Sequence, residues 1–234
     1  MLRLGRLPEA WIAPPATREL RELVRYRAKL VCMRTGLKAQ VHAVLANEGV
    51  HVPVSDLFAV AGQRLLDEVP LGRAYTIRVE SLRDLIELYD REITMADSEV
   101  RAGLDGHPGW AAVQAIPGVG PVLGAVFVAE IDDVDRFPTA RHLCSWAWLT
   151  PKHHESDTTV IRGRITKQGS RLVRWAAVEA AQKTSDFLKS DFRRIAERRN
   201  NRKIARVAVA RKILTLSYYG LRDGEIRCLA EDVG

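Results

Sequence analysis

Cysteine is scarce in this chain. Its three residues, Cys32, Cys144 and Cys228, lie far apart and form no C-x-x-C pair, which excludes a disulfide framework and a zinc ribbon. Long apolar runs are missing too: no stretch approaches the roughly 18 residues a membrane helix needs, and the opening MLRLGRLPEAWIAPP has no continuous apolar core of leader-peptide length. Histidine pairs at metal-binding spacing are absent. His153, His154 and Glu155 are adjacent in sequence, so their side chains diverge, and there is no H-E-x-x-H. Internal repeats and low-complexity segments are likewise lacking. These absences predict a cytoplasmic protein with no membrane association and no metal or other cofactor bound by its own residues.

What is present suffices for a packed core: 234 residues, 47% of them hydrophobic. The formal charge of +7 is concentrated in one region. Residues 151–220 carry 17 Lys/Arg against 6 Asp/Glu, a net +11, so the remainder of the chain sums to −4. A charge gathered in this way favours a polyanionic partner.

Periodicity predicts a mostly α fold with little or no sheet. A long helix is expected over 17–47, where Leu20, Leu23, Val24, Leu30, Val31, Leu37, Val41, Val44 and Leu45 recur at helical spacing, and a second over 55–69 with Ser55 as its N-cap. Val79, Leu82, Ile86, Tyr89, Ile93, Ala96 and Val100 follow at alternating steps of 3 and 4, a heptad seam. That seam fits packing against the first long helix or against a second copy of the chain. Glycines and a proline at 103–109 mark a break, giving a helical, coiled-coil segment over 1–105, a second domain over 106–224 and a tail over 225–234. In that second domain the apolar run 122–131 reads as a helix, and further helices are expected over 139–149, 171–183, 187–198 and 204–219, with 150–169 irregular.

The run Pro117-Gly118-Val119-Gly120-Pro121 would join two helices in a tight hairpin. Read as a helix-hairpin-helix, it turns backbone N–H groups outward, where a DNA phosphate can dock without sequence readout; a Pro/Gly turn that only joins two core helices is the other reading. Residues 149–170 gather hydroxyls, two histidines and four cations. A hydroxyl nucleophile with Arg/Lys to neutralise phosphoryl oxygens is one reading of that stretch. A solvated basic loop, with Ser170 as the N-cap of the next helix, is the other.

Taken together, P-G-V-G-P (117–121), D-x-x-R-F-P-T-A-R (133–141), L-T-P (149–151), Ser156 and R-G-R-I-T-K-Q-G-x-x-L-V-R (162–174) resemble the C-terminal transposase domain of the IS one-ten insertion-sequence family. The resemblance spans 110–222, and the basic helical stretch 18–40 resembles that family's central segment. It implies a DNA recombinase that moves an insertion sequence, in some members guided by a structured bridge RNA. The family's active site is composite: a RuvC-like domain contributes four metal-binding acids, and the C-terminal domain contributes a serine that becomes covalently linked to DNA.

Ser156 matches that serine by its place after L-T-P, with Thr158 and Ser170 as fallbacks. Two departures stand out. Glu155 and Asp157 flank Ser156 where the family shows Ser-Ser-Gly, and no stretch of this chain matches the four acids. The expectation is therefore an N-terminally truncated transposase, not active alone. Magnesium is expected only in a full-length member. DNA is to be gripped by the turn at Gly118 and Gly120 and by Arg162, Arg164, Lys167, Arg171 and Arg174. The expected partners are DNA, a structured guide RNA in the guided case, and further copies of the chain or an intact transposase. A non-catalytic DNA- or RNA-binding or dimerisation module derived from a transposase is the alternative.

Overall fold

The computed structural model describes residues 11–156, 159–165, 169–183 and 186–229, with the backbone alone for 151–156, 159–164, 186 and 187. Nine α-helices, a one-turn 3-10 helix (Val134–Arg136) and one two-stranded sheet make up the described regular structure, so the fold is mostly α. The chain divides into two compact units, residues 25–99 and residues 1–24 with 100–234.

The smaller unit is built on two long helices, α1 (Pro15–Asn47) and α3 (Arg73–Leu104), each of which begins or ends in the larger unit. Within 25–99 the heptad seam of α3 is filled by α1 of the same chain. Leu30 packs with Ile93 and Ala96, while Val41, Val44 and Leu45 pack with Val79, Leu82 and Ile86. Arg27 Nε donates to Asp97 at 2.8 Å and Arg34 pairs with Asp90, which fixes the antiparallel register. A short helix, α2 (Val60–Glu68), closes the far end through Leu66.

Helix α2 starts five residues after the expected cap at Ser55. The residues before it turn back instead: the Asp56 carboxylate accepts the Phe58 N–H at 2.9 Å, and Leu57 is buried. A Cβ on Gly62 would collide with the Leu57 backbone, so only glycine lets that turn close onto the helix.

The larger unit centres on α5 (Pro121–Ile131), whose residues 124–131 are all buried. A helix apolar but for Glu130 has to be enclosed, and two neighbours pack directly on it. The seven-residue α4 (Pro108–Gln114) precedes it, and Gly124 lets the Trp110 ring lie 3.2 Å from where a Cβ would stand. Helix α7 (Arg171–Ala180) runs antiparallel to it: Ser170, at the start of α7, meets Glu130 at the end of α5, while Ala180, at the end of α7, meets Gly118 before α5 begins. Helix α6 (Ala140–Trp146) adds Leu143 and Cys144 to the same core. The last two helices, α8 (Asp186–Arg199) and α9 (Arg202–Asp223), form a hairpin whose α9 packs on α4, α6 and α7. Gly224, at φ +71, stops α9, and Ile226 folds back into the core.

Where an irregular stretch is expected, the backbone forms an antiparallel hairpin of β1 (Pro151–Ser156) and β2 (Thr159–Ile165), with Ser156 paired to Thr159. The β-branched run Thr159-Val160-Ile161 and the two-residue gap before it are the local signals for this pairing. Among the described residues no helix is long and apolar enough to cross a membrane.

Cys32 and Cys228 are exposed, whereas Cys144 is buried, its Sγ donating to the Arg211 carbonyl at 3.6 Å. Burial pushes the Cys144 thiol above its ordinary pKa, against smaller opposing effects of Thr215 and Arg211. Titration of the native protein with an aromatic disulfide reagent should therefore release two thiols promptly and the third only on unfolding.

Candidate nucleic-acid interface

The turn between α4 and α5 is held from both sides. Val119 N–H donates to the Ile116 carbonyl at 2.9 Å, and the Trp110 indole donates to the Pro121 carbonyl at 3.2 Å. Its two glycines have different jobs. Gly118 has φ +92, and a Cβ there would stand 2.5 Å from the Ala180 carbonyl oxygen, so this residue is required by backbone conformation and by the close approach of the end of α7. Gly120 is exposed, with φ −92 and open space around it, and serves as the N-cap of α5 without a side-chain cap. The accessible part of the turn is therefore Gly120 and the first turn of α5.

At the other end of the α5–α7 pair lie the residues following the β-hairpin. Ser170 caps α7, its Oγ accepting from Val173 N–H at 3.4 Å and donating to Glu130 at 3.2 Å. The N-cap reading of Ser170 holds, and its hydroxyl is committed to that role. Glu130 is only 4% exposed, the one buried carboxylate among the described residues. It sits inside the apolar run, where sequence gave no reason to single it out.

The expected cations are not equivalent. Arg171 is exposed on the first turn of α7. Arg174 is drawn inward, donating through Nη1 to the Gly169 carbonyl at 2.6 Å and to the Ala147 carbonyl at 3.4 Å. Burial, and secondarily the charge of Arg171, lowers its pKa from the ordinary guanidinium value. Gly169 itself is pressed against the Trp146 carbonyl and the Trp148 ring, leaving no room for a Cβ. Arg174 thus fastens the segment leaving the hairpin to the end of α6. Arg162 and Arg164 lie on β2, with Arg162 opposite His153, and Ser156 is the last paired residue of β1. Lys167 and the fallback Thr158 lie outside the described residues.

The structure therefore brings Ser156, Arg162 and Arg164 onto one hairpin, with Arg171 and Arg174 on the helix that follows. It sets Gly118 and Gly120 at the opposite end of α7. Ten residues of helix separate the two ends, roughly 14 Å at 1.5 Å per residue, about four base-pair rises.

The acids after α5 are engaged within the protein. Asp132, at φ +59, accepts the Trp11 indole N–H at 3.1 Å and the Thr17 hydroxyl at 2.7 Å, and Asp133 accepts the Asp135 N–H at 2.9 Å. Among the described residues no three His, Cys, Asp or Glu side chains converge on a common point. Arg136 is also occupied: its Nε donates to the Ile131 carbonyl, and its guanidinium lies 4.4 Å over Phe137, 4.9 Å over Trp146 and 5.9 Å over Trp11. Burial, reinforced by Arg21 and opposed by Asp132 and Asp133, lowers its pKa. The R-F-P motif is thus an aromatic clamp, tied to α9 by the Tyr218 hydroxyl donating to the Phe137 carbonyl at 3.1 Å.

The chain carries, over residues 111–197, a match to the transposase family described as IS116/IS110/IS902, and that stretch belongs to the family. The chain is 25% identical over 173 residues to the transposase for insertion sequence element IS1111A of Coxiella burnetii, covering 70% of this chain and 46% of that protein. It is 27% identical over 176 residues to the insertion element IS110 uncharacterized 43.6 kDa protein of Streptomyces coelicolor, covering 69% and 44%. It is also 26% identical over 170 residues to the pilin gene-inverting protein of Moraxella bovis, covering 68% and 53%. The chain spans about half the length of the curated relatives it matches.

The two glycines of the turn should respond unequally to alanine. Gly118→Ala is expected to destabilise the protein by roughly 1–3 kcal/mol from positive-φ strain alone, with the displaced end of α7 adding to it. Gly120→Ala should cost no more than about 1 kcal/mol. Urea denaturation of the two variants measures both, and equal losses would contradict this division of roles.

Proposed function

We propose that this chain supplies the serine nucleophile and the phosphate-gripping surface of a DNA transposition reaction. The observation that carries the reading is the hairpin, with Ser156 at its end and Arg162 and Arg164 on the returning strand, inside the stretch that belongs to the insertion-sequence transposase family. Ser156 Oγ attacks a backbone phosphorus, forming an Oγ–P ester as one phosphorus–deoxyribose oxygen bond breaks. The serine proton passes to a base, and the departing deoxyribose oxygen takes up a proton. Arg162, Arg164, Lys167 and Arg171 offset the charge gathering on the phosphoryl oxygens, and they also outweigh Glu155 and Asp157 beside the nucleophile. Arg174 serves the grip by holding Gly169. Gly120 and the first turn of α5, beside Gly118, take a second phosphate about four base pairs away.

In a reaction reconstituted with the components that transposition requires, a covalent protein–DNA adduct is expected to survive denaturation and to disappear in Ser156→Ala. An adduct that persists in Ser156→Ala but vanishes in Thr158→Ala would move the nucleophile to the fallback. The alternative, a non-catalytic DNA- or RNA-binding or dimerisation module, is favoured by the carboxylates flanking Ser156 and gives no adduct at all. Copies of the chain that associate would meet along the outer stripe of Leu85, Leu88 and Met95, because α1 fills the 79–100 seam. Binding to duplex DNA should weaken steeply as salt rises from about 50 to about 200 mM, through counterion release. Titration by fluorescence anisotropy measures it, and a flat response would sink the DNA-binding reading.

A further inference from the structure

We propose that the tip of the α8–α9 hairpin is a second, sequence-independent contact for the backbone of duplex DNA, an inference that rests on the DNA-transposase reading above. Residues 193–206 hold seven cations, Arg193, Arg194, Arg198, Arg199, Arg202, Lys203 and Arg206, against the single acid Glu197. The helices turn over at Asn200, φ +45, and Asn201, which gathers Arg198, Arg199, Arg202 and Lys203 at one exposed end. The family match ends at residue 197, before this tip.

Fold stability does not account for the cluster. Arg198 and Arg199 suit the negative end of α8, but Arg202 and Lys203 occupy the first turn of α9, where the helix dipole disfavours cations. Arg202 and Arg206, four residues apart on one helix face, add like-charge repulsion. Asp191, lower on the hairpin, is taken by Arg194 and Lys212, at 2.6 Å each. No ion pair to Arg198, Arg199, Arg202 or Lys203 occurs among the described residues. Arg206 Nε is buried without a hydrogen-bond partner among them. Positive charge is therefore concentrated where it opposes both helix formation and its own neighbours, which is the signature of a surface kept for an anion.

The anion is a duplex rather than a single strand. No aromatic or histidine side chain occurs between 193 and 217, so the tip has no platform on which unpaired bases stack. The Lys203 and Ile204 N–H groups in the first turn of α9 are also taken, since Asn201 Oδ1 accepts from both. What remains is a set of exposed cationic heads able to straddle backbone phosphates.

The test uses the full chain, with Arg198, Arg199, Arg202 and Lys203 all changed to Gln, titrated with a fluorescent DNA duplex of mixed sequence. The expected result is a loss of affinity of about tenfold or more at moderate salt. The slope of log K against log salt should also fall by about 2–4, at about 0.9 for each phosphate contact removed. The Tm should be unchanged or higher, since an unfavourable charge cluster has been relieved. Tight duplex binding by the parent chain with unchanged affinity and slope in the variant would overturn this inference and leave the proposed function standing. No duplex binding by the parent chain would overturn both. A lowered Tm would show the cations to be structural and overturn the inference, and so would a larger loss for an RNA duplex than for DNA, which would reassign the tip.

Discussion

Helix α5 has no solvent-facing side beyond its first turn, and the larger unit is arranged around that constraint. Enclosing a helix apolar but for Glu130 requires close-packed partners, and close approach is secured by small residues: Gly124 under Trp110 and Gly118 against the end of α7, while Gly169 lets the segment before α7 close on the end of α6. The antiparallel fit of α5 and α7 is pinned at one end by Ser170 with Glu130 and at the other by backbone contact at Gly118. The β-hairpin and the P-G-V-G-P turn, both proposed to meet DNA, lie at the two ends of that pair. Scaffold and interface thus share residues, and a substitution in the P-G-V-G-P turn is first a question of packing.

Much of the helical framework is legible in the sequence because its signals are strong and local. The 3–4 spacing of α3, the Pro-initiated α5 and the Ser170 cap each follow from one period or one residue type. The ambiguity of the α3 seam is settled inside the chain by Leu30, Val41, Val44 and Leu45 of α1, a partner more than thirty residues away in sequence. The β-hairpin is less legible because its polar, basic composition masks a short β-branched run. The start of α2 escapes because Leu57 burial and the Gly62 contact are tertiary facts.

For the candidate site the lesson is different. Sequence groups cations by proximity along the chain, yet Arg171 and Arg174, three residues apart on one helix, diverge in surroundings, since one faces solvent and the other reaches carbonyls. Arg136 shows the same divergence, its charge spent among three aromatic rings. Chemistry-bearing residue types in a family motif thus split into those that hold the backbone and those left to meet a ligand, and the split is set by burial.

The contacts of residues 11–21 with 129–132 carry one more consequence. Trp11 and Thr17 reach Asp132, and Arg21 Nε donates to the Ala129 carbonyl, across separations of 108 to 121 residues. The smaller unit, 25–99, is inserted between the two pieces of the larger one. During synthesis its helices are complete before the residues that receive the N-terminal segment have emerged from the ribosome. The inserted hairpin can thus close on contacts within 75 residues, whereas the outer unit must close a loop of more than a hundred residues, the kind of non-local contact that slows folding.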